Sequence, residues 1–139
     1  NSRHIHFHLM ENIKALLHLP CLVMTKSVIV IDDDEDTVRL FTEILEENNI
    51  KVIGNGYDGV TAVKLFKKTK PDVVLIDLNM PNGSGFYAIK KIHEIQPKAQ
   101  IIAVTADSSF STEEKLEKLD IPMIQKPFKM EQVLSMIEN

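Results

Sequence analysis

Short β-branched apolar blocks alternate along the chain with stretches of helical period. Residues 28–31 read Val-Ile-Val-Ile, residues 73–76 Val-Val-Leu-Ile and residues 101–104 Ile-Ile-Ala-Val. A run without polar alternation has both faces buried, as in the middle of a parallel sheet. Residues 50–54 predict a shorter second strand, and residues 122–125 a short fifth. Between the strands, Val38, Phe41, Ile44 and Leu45 repeat every 3.6 residues; Asp34 or Asp36 caps this helix, and Asn48 and Asn49 end it. Asp58 opens a second helix, with Val63 and Phe66 inward and Lys64, Lys67 and Lys68 outward. Residues 85–96 predict a third, with Phe86, Ile89 and Ile92 on one face and Pro97 stopping it. Ser111-Thr112-Glu113-Glu114 reads as a capping box for a fourth helix ending near Leu119. Its face is polar and poor in apolar anchors, so it is expected to be the loosest. Met130, Val133, Leu134 and Ile137 mark a fifth helix over residues 130–137.

Five β–α repeats imply an α/β fold, a parallel sheet with helices on both faces joined by right-handed crossovers. A flavodoxin-like, doubly wound strand order 2-1-3-4-5 makes strands one and three neighbours at the switch point, where such sheets place ligands. Every strand carboxyl end then lies on one edge. Strand one delivers Asp32 and Asp33 there, strand three Asp77, strand four Thr105 and strand five Lys126. A lone Asp at a strand end usually does no more than start a turn. Three carboxylates converging on a hydroxyl and an ammonium need more explanation. Crowded carboxylates repel one another unless a cation neutralises them. Magnesium fits best, since it takes one or two carboxylates, keeps waters and completes its shell with phosphate oxygens. A carboxylate can attack phosphorus to give an aspartyl-phosphate, a transfer that needs mainly positioning and charge neutralisation.

Composition narrows the class. The chain has 139 residues, fitting one domain, and is 44% hydrophobic and 26% charged, as globular chains are. A net charge of −4 argues against a nucleic-acid surface. The single cysteine, Cys21, excludes an internal disulfide and favours a reducing, cytoplasmic setting. No apolar run approaches the roughly 20 residues of a membrane helix. Residues 1–25 differ from the rest and are expected to be a leader or extension outside a domain spanning 26–139. They begin without methionine, as a processed end or added leader would, and Met10 and Met24 are alternative starts. His4, His6 and His8 alternate there without a carboxylate or thiolate beside them, a weak metal signal.

Four motifs in order carry a resemblance: Asp32-Asp33 after strand one, Asp77-Leu78-Asn79-Met80-Pro81 followed by Gly85, Thr105-Ala106, and Lys126-Pro127-Phe128. Together they resemble the receiver family of two-component response regulators, over about residues 27–139, in the manner of single-domain chemotaxis-regulator-like receivers. The resemblance implies that Asp77 is the phosphoacceptor in a phosphorelay. Asp33 and Asp77 would bind Mg2+ directly with the Asn79 backbone carbonyl, and Asp32 would assist through water. Thr105 and Lys126 would contact the phosphoryl group, and the Lys126–Pro127 peptide would be cis. The donor would be a sensor histidine kinase or a phosphotransfer protein. The output would be an effector protein bound by the face of helix 4, strand 5 and helix 5, or a homodimer. No output segment follows residue 139, so the chain is expected to work through partners or to be a receiver from a larger regulator. The protein would be a regulatory domain, with no enzymatic activity beyond its own phosphorylation and dephosphorylation. One departure is Met123, at a position where the family usually carries an aromatic residue three before the lysine. Asn79 and Asp107 stand where the family tunes the phosphoryl lifetime.

Other classes fit less well. A haloacid-dehalogenase-like phosphatase shares the Asp, Thr, Lys and magnesium, but its nucleophile lies on the first strand with a second Asp two residues later. A P-loop nucleotidase lacks its G-x-x-x-x-G-K-[ST] motif here. In a flavodoxin, the acids after strand one would repel the FMN phosphate. A receiver used purely as an interaction or dimerisation module is the stronger alternative.

Overall fold

The computed structural model describes residues 25–138; the alternating histidines and the rest of residues 1–24 lie outside them. The elements run β1 (Ser27–Ile31), α1 (Glu35–Glu47), β2 (Lys51–Gly56), α2 (Gly59–Thr69), β3 (Val73–Asp77), α3 (Gly85–Ile95), β4 (Gln100–Thr105), α4 (Phe110–Lys118), β5 (Met123–Gln125) and α5 (Met130–Glu138). The five strands form one parallel sheet in the order β2-β1-β3-β4-β5. This is the doubly wound, flavodoxin-like arrangement that the β–α alternation predicts.

Successive strand residues face opposite sides of the sheet. Ile29, Ile31, Val74, Ile76, Ile101 and Ala103 pack on one side beneath α2, α3 and α4. Val28, Val30, Val73, Leu75, Ile102 and Val104 pack on the other side beneath α1 and α5. The uninterrupted apolar runs follow from this double coverage.

Local details depart from the periodicity in four places. β2 extends to Gly56, two residues beyond the predicted end, because its backbone stays paired with β1 as far as Ile31↔Gly56, past a register shift between Val28 and Ile29. Ladder pairing does not require the side-chain pattern to continue. In α3 the fully buried residues are Ala88, Ile89 and Ile92, while Phe86 packs at the margin. Asp34 is the α1 N-cap residue, but its carboxylate accepts from the Thr37 hydroxyl at 2.6 Å and caps no backbone N–H.

The fourth departure corrects a boundary. α4 begins at Phe110 with Ser109 as its cap, which puts Ser111 inside the first turn. The Ser109 hydroxyl accepts from the Thr112 N–H at 3.3 Å. The choice between the two serines is made by Asp107, whose carboxylate accepts from the Ser109 N–H at 2.9 Å and the Thr112 hydroxyl at 2.6 Å. α4 sits on few anchors, and its buried side chains are Thr112 and Leu116.

Burial sets the expected cost of truncation. Ile92→Ala, in the core beneath α3, is expected to lose about 2–5 kcal/mol of unfolding free energy. Leu40→Ala, at a site 57% exposed, should change it by less than about 0.5 kcal/mol. Urea denaturation of the two variants checks the contrast.

Candidate functional site

Strand register brings the polar residues together. Ile31 pairs with Ile76, so the residues that follow, Asp32 and Asp77, leave adjacent strands side by side. Asp77 pairs with Val104, which puts Thr105 one step beyond. Thr105 pairs with Gln125, and Lys126 follows. None of these pairings depends on separation along the chain.

One carboxylate oxygen from each of Asp32, Asp33 and Asp77 lies within 4.8 Å of the other two. Asp32 and Asp77 are buried and Asp33 is exposed, so the cluster opens to solvent on one side. The Lys126 ammonium donates to Asp32 Oδ2 at 2.7 Å and lies 3.6 Å from Asp77 Oδ2. The other oxygen of Asp32 accepts from the Asp34 N–H at 3.0 Å, and Asp77 Oδ1 accepts from the Asn79 N–H at 3.2 Å. Thr105 is fully buried; its hydroxyl oxygen accepts from the Asp107 N–H at 3.0 Å and lies 3.5 Å from Asn79 Nδ2. All six residues singled out in the sequence therefore join one network or one cluster.

Two supports were not visible in the motifs. The Lys126 N–H donates to the Thr105 carbonyl at 2.8 Å, fixing the lysine backbone to β4. Just beyond the cis Lys126–Pro127 peptide, Phe128 stacks on Phe41 of α1, with ring centroids 5.3 Å apart and planes 19° from parallel. Aromatic pairs at that separation anchor loops by area and by ring electrostatics. Only the two phenylalanines themselves signalled this contact.

Burial drives the charge state of Asp77. Loss of water pushes its carboxyl above the usual carboxylate range; the Asn79 N–H pulls it down, the Asp32 charge pushes it up, Lys126 pulls it down and Asp33 pushes it up. For Lys126, burial alone would lower the ammonium, but its hydrogen bond to Asp32 and the charges of Asp32 and Asp77 outweigh it and hold it above the ordinary lysine value. Three acids against one base leave an excess of negative charge lined with hard oxygen donors. That donor set fits a small divalent cation.

The family model for the response regulator receiver domain matches residues 28–138. The chain belongs to the response regulator receiver family. Protein CcdB of Bacillus subtilis is 36% identical over 113 residues, covering 81% of this chain and 94% of its own length. The chemotaxis protein CheY of Halobacterium salinarum is 35% identical over 120 residues, covering 84% of this chain and 97% of its own. Among solved structures, a CheX–CheY–BeF3–Mg complex from Borrelia burgdorferi matches with a TM-score of 0.76 at 25% identity, over 81% of this chain and 86% of that one. Receivers are the phosphoacceptor switches of two-component signalling, and this receiver is a regulatory domain of the CheY type. Among its described residues, no helix is long and apolar enough to cross a membrane.

The raised carboxyl of Asp77 has a stability consequence of definite sign. A carboxyl that titrates higher in the folded state than in the unfolded chain binds more protons when folded, so folding weakens as pH rises through that interval. Below the ordinary carboxylate value Asp77 costs nothing; above its raised folded value the cost is complete. Asp77→Asn should therefore raise the melting temperature by a few degrees at neutral pH in magnesium-free buffer. The gain should disappear below about pH 4. Thermal melts of both proteins across pH 3 to 8 provide the check.

Proposed function

We propose that Asp77 accepts a phosphoryl group from the phosphohistidine of a sensor histidine kinase or phosphotransfer protein. The observation that carries this reading is the convergence of Asp32, Asp33 and Asp77 within 4.8 Å beside the Lys126 ammonium. One Asp77 oxygen attacks phosphorus, the bond between phosphorus and the imidazole nitrogen breaks, and the departing imidazole regains neutrality by taking up a proton. Lys126 meets the added negative charge, releasing part of its hold on Asp32. The Thr105 hydroxyl already accepts from the Asp107 N–H, so its own proton is available to a phosphoryl oxygen. Asp33 and Asp77, with the Asn79 carbonyl and water-linked Asp32, would hold Mg2+, which neutralises charge on the transferring group.

The signal leaves through Thr105. Its hydroxyl is tied to the Asp107 backbone, and the Asp107 carboxylate is tied to the first turn of α4. A shift of Thr105 toward the phosphoryl group moves that turn, and with it the face of α4, β5 and α5. Met123 sits half-buried against the core at the start of β5 and can repack as the loop moves. The domain spans about residues 26–139, acts in the cytoplasm through partner proteins, and performs no chemistry beyond its own phosphorylation and dephosphorylation.

Two measurements test the reading. Magnesium and beryllofluoride should each strengthen binding of the other in a calorimetric titration. Independence of the two would favour a receiver used only as an interaction scaffold. Acetyl phosphate or a phosphorylated kinase should label the wild-type chain and leave Asp77→Asn unlabelled; label persisting on the variant would place the phosphoacceptor elsewhere.

A further inference from the structure

The loop that follows Asp77, residues 78–84, is held from a direction the motifs do not indicate. At its far end the Gly85 N–H donates to the Leu78 carbonyl at 3.0 Å, closing the loop on itself. A Cβ on Gly85 would lie 2.4 Å from the Asp77 carbonyl oxygen, so only glycine allows α3 to start this close to β3. The outer side of the loop is bound to a different helix. The Gly59 N–H, first in α2, donates to the Gly83 carbonyl at 2.7 Å, and the Val60 N–H to the Asn82 carbonyl at 3.4 Å. Asn82 Nδ2 donates to Asp58 Oδ2 at 3.2 Å, while Asp58 Oδ1 caps α2 by accepting from the Thr61 N–H at 2.7 Å.

These contacts reverse the usual roles at a helix start. The first N–H groups of a helix lack partners within it and normally take side chains or water. In α2 the first two, those of Gly59 and Val60, take the carbonyls of the Asp77 loop. The loop can offer those carbonyls because Asn82 and Gly83 are both left-handed, at φ 50° and 93°. The approach is closer than any side chain permits: a Cβ on Gly59 would lie 2.2 Å from the Gly83 carbonyl oxygen. The Asp58 carboxylate serves both sides, one oxygen to its own helix and one to the loop.

We infer that the first turn of α2 is a clamp on the Asp77 loop, with Asp58 and Gly59 as positioning residues that set how tightly the loop holds magnesium. The inference rests on the reading of Asp77 and the Asn79 carbonyl as magnesium ligands. The Asn79 carbonyl belongs to a loop pinned at Leu78 by Gly85 and at Asn82 and Gly83 by α2. Loosening the outer pin lets that carbonyl wander, while the carboxylates stay at the ends of β1 and β3. Outer partners of metal ligands commonly act in this way. Asp58 touches neither the metal nor the reacting atoms, and its effect passes entirely through Asn82 and the α2 start.

The test separates clamping from simple stabilisation. Asp58→Ser keeps a capping oxygen for α2 but lacks a second one for Asn82. Asn82→Gly keeps the left-handed backbone and removes the amide. Each is titrated calorimetrically, as the full chain, with magnesium chloride and then with beryllofluoride at fixed magnesium. Each variant should weaken magnesium binding by up to roughly tenfold, with the magnesium-free melting temperature within a few degrees of wild type. The double variant should be no weaker than the worse single one, because both remove the same contact. Gly59→Ala, which wedges the loop away from α2, should weaken magnesium binding at least as much. Wild-type affinity in both Asp58→Ser and Asn82→Gly would overturn the inference, as would losses that multiply in the double variant. A wild-type chain that binds no magnesium would overturn the reading of the Asp77 site itself, and this inference with it.

Discussion

Excess negative charge in a partly dry pocket is the constraint around which this domain is arranged. Asp32 and Asp77 are buried at adjacent strand ends, Asp33 joins them from the surface, and the Lys126 ammonium bridges the two buried acids. Desolvation and mutual repulsion make the cluster costly, and one cation offsets the cost only in part. The remaining imbalance is of the kind a small divalent cation offsets. A pocket relaxed by a second lysine would carry less of that imbalance.

Such a cluster needs a stiff frame, since loose carboxylates would turn away from one another. The fold supplies it in layers. Parallel register sets Asp32 beside Asp77, and apolar residues on both faces of the sheet hold that register. The lysine arrives on the shortest strand, yet it is fixed by the Thr105 carbonyl and by the Phe41–Phe128 stack just beyond it. The loop after Asp77 is pinned by its own helix and by the start of α2. The least anchored neighbour is α4, joined to Thr105 through Asp107 and Thr112. The surroundings of Asp77 are therefore stiff on the acid side and more weakly anchored on the α4 side.

Asp107 illustrates how the neighbourhood assigns a role. It lies two residues after Thr105, close along the chain to the acidic pocket, but its carboxylate accepts from Thr112 and Ser109, and those bonds hold it below the usual carboxylate range. It acts as a brace between the Thr105 loop and α4. Asp58 is held low in the same way, first by the Thr61 N–H at the α2 cap and further by Asn82 from the neighbouring loop.

Much of this protein follows from its sequence alone. Apolar runs, helical periodicity and one capping signal located the five strands and five helices of the described residues, because burial on one face or two leaves a local imprint on residue spacing. The family signature and the residues gathered at the sheet edge were equally legible, since each one ends an apolar run. Tertiary structure decided what depends on contact through space. It chose Ser109 over Ser111 as the α4 cap, because Asp107 holds the Ser109 N–H and the Thr112 hydroxyl. It extended β2 to Gly56, because ladder pairing continues where side-chain alternation does not. It joined Gly59 to Gly83 and Phe41 to Phe128, pairs whose members lie far apart in the chain and carry no shared local pattern. Local spacing records which face of an element is buried; which backbone it is buried against is settled only when the elements pack.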